Sequence, residues 1–228
     1  LGLKSIVVIP EITPFEKIEK LKKLTKVIIK GKNYLESCDF AIKKAKEENL
    51  TFLHPFDDPF IIAGQGTVAL EILEEIQDLD CVIIPVGGGG LASGTLITIK
   101  SLKPEVQVIG VQAEGACSMY KSWKEGRILE LSEIKTIAEG IAVSKPGELT
   151  FEIIYKFIDD IILVNDEEIL EGMRILFGDV KILSELAGSV SVAGLLSGKL
   201  KIKNKKVACI ISGGNFSEKH IYKILKQS

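Results

Sequence analysis

Cys81-Val82-Ile83-Ile84-Pro85-Val86 runs straight into Gly87-Gly88-Gly89-Gly90, and Leu91-Ala92-Ser93-Gly94 follows. The first six residues form a continuous apolar run of strand length, the pattern of a strand covered on both faces. Leu91–Ser101 reads as a helix. A buried strand, a glycine turn and a helix are half of a parallel β-α-β unit. One or two glycines satisfy a tight turn of this kind. Four in succession let the backbone approach a ligand and aim several N–H groups at one point, beside the positive end of a helix dipole. The turn is read as an anion cradle made without side chains. A side chain added at Gly89 is expected to enter the space of the anion.

The chemistry of that anion is partly constrained. A triphosphate-binding loop needs Gly-Lys followed by Ser or Thr, and Leu91-Ala92-Ser93 has no lysine. A dinucleotide competes: Gly87, Gly89 and Ala92 fit G-x-G-x-x-A, and Glu114 ends the next strand, where a ribose-binding acid is expected.

Outward from the glycines, strands and helices alternate. Strands are expected at Ser5–Ile9, Lys26–Lys30, Thr51–Leu53, Val106–Gln112, Ile161–Val164 and Val207–Ile211. Thr13-Pro14-Phe15-Glu16 and Asn33-Tyr34-Leu35-Glu36 are capping boxes opening helices, the first running to about Leu24. Helices are also expected over Thr67–Gln77, Leu149–Ile158, from the cap Asn165-Asp166-Glu167-Glu168, and over the small-residue stretch Ala187–Ser197. Glu114–Pro146 is polar and irregular, partly helical. His54-Pro55-Phe56-Asp57-Asp58-Pro59 breaks the rhythm and is placed at a domain crossing. Residues 1–53 then form part of a small βαβαβ domain and residues 54–228 a large one. The fold class is α/β, with open, mostly parallel sheets and helices on both faces. Leu1-Gly2-Leu3-Lys4 reads as the end of a helix with a glycine stop, so the chain is expected to begin inside a domain, N-terminally incomplete.

Composition excludes several classes. Net charge is −2, and of 29 basic residues only Arg127 and Arg174 are arginine. That is a poor set for planar phosphate or base-edge recognition, so no nucleic-acid partner is expected. No apolar run approaches the ~18 residues of a membrane span. Cys38, Cys81, Cys117 and Cys209 are far apart, with no C-x-x-C pair, and are expected as buried thiols. A second glycine turn, Ser212-Gly213-Gly214-Asn215, follows the last strand. Alone it is an ordinary turn. Beside the four-glycine loop it suggests one cleft at the carboxyl edge of a single sheet.

Several motifs together carry a resemblance. His54–Pro59, Ala63-Gly64-Gln65-Gly66-Thr67, Pro85–Gly94, Thr136–Val143, Lys145–Thr150 and Ser212–Asn215 are similar, in order and over essentially the whole chain, to the threonine dehydratase family. These are pyridoxal-phosphate enzymes of the tryptophan-synthase-β fold type, which also includes serine racemase. The resemblance implies a cytoplasmic lyase, homo-oligomeric when complete, that converts threonine or serine to a 2-oxo acid and ammonia by β-elimination. It implies that Gly87, Gly88, Gly89, Gly90 and Leu91 hold the phosphate of pyridoxal 5'-phosphate and that Ser212 hydrogen-bonds the pyridine nitrogen. Gly140 resembles the backbone position lining the cofactor. Glu185 resembles a Glu near the ring, with Leu186 where proline is common. Glu114 and the Ser118 carbonyl resemble ligands of a monovalent or divalent cation, although Tyr120 stands where serine racemases often carry Asp. The neutral hydroxyl of Ser212 fits the implied chemistry. A carboxylate at that nitrogen would keep the ring protonated and deepen the electron sink, whereas a serine limits carbanion character and lets loss of the β-group compete.

One element of the family is absent. Its Schiff base forms through a lysine in a Ser-Phe-Lys-x-Arg stretch, followed by a Ser-Gly-Asn-His loop, and neither occurs in these 228 residues. Ser122-Trp123-Lys124 has a similar spacing but none of the surroundings. Two functions follow: part of a dehydratase whose catalytic lysine is elsewhere, or a non-catalytic anion- or NAD-binding α/β module.

Overall fold

A computed structural model of the chain describes residues 2–13 and 15–215. The chain divides into two compact units, Leu1–Leu53 and His54–Ser228.

In the first unit, β1 (Ile6–Ile9) and β2 (Lys26–Ile29) pair in parallel, with Ile6 opposite Lys26 and Ile9 opposite Ile29. Helices α1 (Phe15–Lys22) and α2 (Tyr34–Glu47) follow the two strands. At the start of α2, Asn33 Oδ1 accepts from the Glu36 N–H at 3.0 Å, and the Glu36 carboxylate reaches back to the Lys32 N–H at 2.9 Å. The expected box therefore closes one residue early. Pro14 of the other expected box lies outside the described residues. Thr51–Leu53, expected as a third strand, is irregular. The stretch runs directly into His54-Pro55, and proline has no N–H to donate to a ladder.

The second unit holds a four-stranded parallel sheet of order β5-β4-β3-β6, built from β3 (Cys81–Pro85), β4 (Gln107–Ala113), β5 (Asp160–Val164) and β6 (Val207–Cys209). In register, Cys81 faces Gln107 and Val207, and Ile109 faces Asp160. Alternate residues of each strand point to opposite faces. Val82, Ile84, Val86 and Val108 pack under α3 (Pro59–Glu75), α4 (Gly90–Leu102), α5 (Ser118–Glu125) and α6 (Glu148–Phe157). Cys81, Ile83, Ile109 and Val111 pack under α7 (Asp166–Ile175) and α8 (Val190–Leu196). Both faces are covered, which is why β3 reads as an unbroken apolar run. The small residues of α8 permit a close fit: Gly194 lies against Val111 of β4, and Gly172 of α7 against Ala193.

α3 begins at Pro59 rather than at Thr67. Asp58 Oδ1 accepts from the N–H groups of Phe60 (2.8 Å) and Ile61 (3.2 Å), and Pro59 occupies the first turn, where no donor is needed. α7 carries the complete capping box: the Glu168 N–H donates to Asn165 Oδ1 at 2.9 Å and the Asn165 N–H to Glu168 Oε2 at 2.8 Å. All four cysteines are free; Cys81 and Cys117 are buried, Cys38 and Cys209 half-buried. Burial pushes the Cys81 and Cys209 thiols up to about 11, so they stay protonated and unreactive.

From β3 the chain builds outward to β4 and β5. It then returns on the other face to place β6 on the opposite side of β3. The direction of winding reverses between β3 and β6, and ligands of open α/β sheets bind outside the carboxyl ends of the strands at such a reversal.

Candidate cofactor site

The glycine loop leaves β3 at this reversal. The Val86 N–H still donates to the Val111 carbonyl at 2.8 Å, so the strand is held to its last residue. Gly89 has φ +99°, a left-handed conformation that L side chains rarely adopt, and its carbonyl accepts the Ser93 N–H at 2.8 Å to start α4. Among the described residues, none of the N–H groups of Gly87, Gly88, Gly89, Gly90, Leu91 and Ala92 donates a hydrogen bond. Gly88, Gly89 and Gly90 are buried. Buried backbone donors without acceptors are rare, and each costs about 1–3 kcal/mol when left unmade. Four buried donors, those of Gly88, Gly89, Gly90 and Ala92, with the half-buried Gly87 and Leu91 beside them, suit a phosphate at the start of a helix, and they are fixed before it arrives.

The protein side of the loop is filled. A Cβ on Gly88 would lie 2.6 Å from ring carbons of Phe56, and one on Gly90 would lie 2.9 Å from Phe56 Cβ. A Cβ on Gly89 would meet Thr150 Cβ at 2.8 Å and Met119 Cε at 2.9 Å. This corrects the expectation for Gly89: a side chain there drives into the packing behind the loop. The Thr150 hydroxyl donates to the Gly88 carbonyl at 2.7 Å and so fixes the loop from behind.

The other sequence-predicted residues gather around the same strand ends. Gly87 abuts Ile141, 2.9 Å separating a Cβ at the glycine from Ile141 Cα. Gly140 precedes Ile141 in the short 3-10 turn Glu139–Ile141. That segment is tied down by Asp166, which accepts from Thr136 Oγ1 at 2.8 Å. A Cβ on Gly140 would lie 3.1 Å from Glu185 Oε1, and one on Gly213 would lie 2.5 Å from the same oxygen. The Glu185 carboxylate therefore sits between Gly140 and the turn after β6. The Gly213 carbonyl accepts from the Glu185 N–H at 3.0 Å and from Ser184 Oγ at 2.9 Å. Ser212 stands exposed at the mouth of that turn. Gly87–Leu91, Gly140, Glu185 and Ser212 thus lie along one line of contacts or within a residue of it.

Glu114 and Ser118 are placed differently. Glu114 is exposed in a 3-10 turn after β4. The Ser118 carbonyl is engaged inside α5 by the Ser122 hydroxyl at 2.7 Å, and Ser118 Oγ donates to the Val143 carbonyl at 2.7 Å. Among the described residues, no three His, Cys, Asp or Glu side chains cluster as metal ligands, and no helix is long and apolar enough to cross a membrane.

Sequence reasoning missed the residues behind the loop. Phe56 and Asp57 lie in the stretch read as a domain crossing, and Thr150 ends Lys145–Thr150. Asp57 accepts from the N–H groups of Glu148 and Thr150, each at 2.9 Å, which caps α6. Asp57-Asp58-Pro59 signals the helix start that Asp58 caps, but carries no local signal for the contact of Asp57 with α6.

A glycine loop of unpaired donors at a helix N-terminus, at the switch point of a parallel sheet, is an arrangement suited to a phosphate-bearing ligand. The comparisons specify the class. The profile of the pyridoxal-phosphate dependent enzymes matches residues 1–213, and the chain belongs to that family. It is 44% identical over 227 residues to the L-threonine ammonia-lyase of Thermotoga maritima, covering 99% of this chain and 56% of that protein. Among solved structures it is similar to the processed form of threonine deaminase isoform 2 from Solanum lycopersicum, with TM-score 0.91 and 34% identity, covering 99% of this chain and 66% of that one. It is also similar to maize serine racemase, with TM-score 0.91 and 28% identity, covering 99% of this chain and 70% of that one. The chain thus spans little more than half the length of the Thermotoga relative. The dinucleotide alternative is displaced by the family assignment.

Proposed function

We propose that this chain holds the cofactor of a pyridoxal-phosphate-dependent ammonia-lyase that converts threonine or serine to a 2-oxo acid and ammonia. The observation that carries the reading is the set of N–H groups from Gly87 to Ala92 with no acceptor among the described residues. In this reading Gly87–Leu91 bind the phosphate, His54–Ser228 is the cofactor domain, and Leu1–Leu53 belongs to a small domain. Bound cofactor supplies a sink for the electron pair left when the substrate Cα–H bond breaks. Ser212 offers the ring nitrogen a neutral hydroxyl, which limits that sink and favours loss of the β-hydroxyl. Gly140 lets the backbone lie close to the ring, and Glu185 sits between Gly140 and the turn that carries Ser212. The small amino-acid substrate, a homo-oligomeric assembly and a cytoplasmic setting rest on the resemblance. So does a cation at Glu114.

The chain as it stands lacks the lysine motif of the family, so the proposal separates binding from turnover. The 228-residue chain should bind pyridoxal phosphate and sulfate competitively. It should yield no 2-oxo acid from threonine or serine, and borohydride reduction should leave no stoichiometric phosphopyridoxyl-lysine. Failure to bind either anion contradicts the cradle. A single stoichiometrically labelled lysine with turnover contradicts the separation.

A further inference from the structure

His54, Asp57 and Thr150 form a chain of hydrogen bonds that ends on the glycine loop. His54 Nδ1 accepts from the Asp57 N–H at 2.8 Å and from the Phe56 N–H at 3.3 Å, which curls this segment around the imidazole. The His54 and Phe56 rings meet edge to face, with centroids 4.6 Å apart. The Phe56 ring lies against Gly88, and its Cα and Cβ lie against Gly90. Asp57 spends both carboxylate oxygens on the start of α6, one on Glu148 N and one on Thr150 N. Gly147 must be a glycine there, because a Cβ would collide with the Asp57 carboxylate. Thr150, placed by Asp57, then donates its hydroxyl to the Gly88 carbonyl at 2.7 Å.

We infer that His54 and Asp57 are positioning residues of the phosphate cradle, acting through Thr150 and Phe56, and that the neutral imidazole is the form that holds it. The inference rests on the reading of Gly87–Leu91 as the phosphate site. Nδ1 can accept two N–H groups only while it carries no proton. Protonation would set a third donor against the Phe56 and Asp57 donors. Among the described residues, the charged groups acting on His54 are Asp57 and Asp58, and both favour the imidazolium. Burial is the larger influence and pulls the imidazole below its ordinary value, so the ring is neutral at pH 7. A basic group whose pKa is lowered by folding contributes its full stabilisation above the unfolded value, about 6.5. The contribution is lost as pH falls through the lower folded value. Anion affinity should therefore be flat above pH 7 and should weaken in mild acid.

Sulfate is the probe, because its charge does not change between pH 5 and 8. Its affinity for the 228-residue chain is measured calorimetrically at pH 7.5 and 5.5. The unaltered chain should lose affinity by roughly two- to fivefold at the lower pH, less than the full value of the hydrogen bonds because a lowered imidazole is only partly protonated there. His54→Asn, whose side-chain oxygen can take the place of Nδ1 as acceptor, should bind within about twofold of the unaltered chain at pH 7.5 and show no acid loss. His54→Leu should be about tenfold weaker at both values. Thr150→Val should weaken binding at pH 7.5, and Thr150→Ser should restore it. If His54→Leu does not fold, the unaltered chain against His54→Asn decides the matter. Parallel acid loss in those two proteins, or no loss in either, overturns the inference and leaves the cradle standing. A chain that binds no sulfate at all overturns both.

Discussion

The two glycine turns at the carboxyl edge of the sheet are built in opposite ways. Gly88, Gly89 and Gly90 are buried, and side chains from Phe56, Met119, Thr150 and Ile154 press on the loop from behind. Ser212, Gly214 and Asn215 are exposed, and their turn is held mainly through the Gly213 carbonyl by Ser184 and Glu185. The first turn offers fixed backbone donors and has no room for a side chain. The second offers one hydroxyl at the surface. In the function proposed above, the rigid turn meets the phosphate, which is the same in every substrate complex, and the exposed turn meets the ring end, where electron flow is set.

The sharpest way to break this contrast is Gly89→Asp. The position combines φ +99° with a Cβ 2.8 Å from Thr150 Cβ. The substitution should cost about 2–4 kcal/mol of stability and lower pyridoxal phosphate affinity more than a hundredfold. A variant that melts and binds as the parent does would remove the distinction between the two turns. Asp57→Ala should come next. It leaves the Glu148 and Thr150 N–H groups without their carboxylate and should cost about 1.5–3 kcal/mol, read as a melting temperature lower by several degrees. Ser212→Ala should act at the other turn with the opposite signature. Melting should be unchanged, and in catalytically active protein turnover should fall roughly 2–10-fold, the value of one neutral hydrogen bond. A thousandfold loss would mean that Ser212 does something other than meet the ring nitrogen. The smallest effect is expected at Glu114. Millimolar potassium, magnesium or calcium should raise the melting temperature slightly, and Glu114→Gln should abolish the rise. Indifference of the parent to all three cations would mark Glu114 as a solvated acid.

Most of the sheet could be read from the chain because each of its strands is short, apolar and followed by a turn. β3 and β4 are the clearest, since burial on both faces removes any polar alternation that could mislead. Thr51–Leu53 was over-read as a strand for the same reason, since apolar residues alone do not supply a hydrogen-bonded neighbour. The first turns of α3 are hidden in the sequence because Asp58-Pro59 reads equally as a breaker and as a helix start. Gly87–Leu91 announced itself by composition, because four glycines serve few other ends. The support behind it was not visible. Thr150 and Asp57 are 93 residues apart, and no local pattern predicts which carboxylate will cap which helix. Glu185 stood out only by resemblance; its seat between Gly140 and Gly213 comes from three distant segments meeting at one edge of the sheet.

The central claim is that backbone donors from Gly87 to Ala92 hold the phosphate of the cofactor. Amide nitrogen–proton NMR spectra of the 228-residue chain, followed through a titration with pyridoxal phosphate and then with sulfate, test it residue by residue. The account predicts that both ligands move the same amides, those of Gly87 to Ala92, with saturation at one equivalent of pyridoxal phosphate. It also predicts that only the cofactor, which carries a ring, perturbs Gly140 and Ser212. Saturable binding that leaves the amides of Gly87 to Ala92 unmoved, with shifts confined to surface lysines such as Lys201–Lys206, would contradict it.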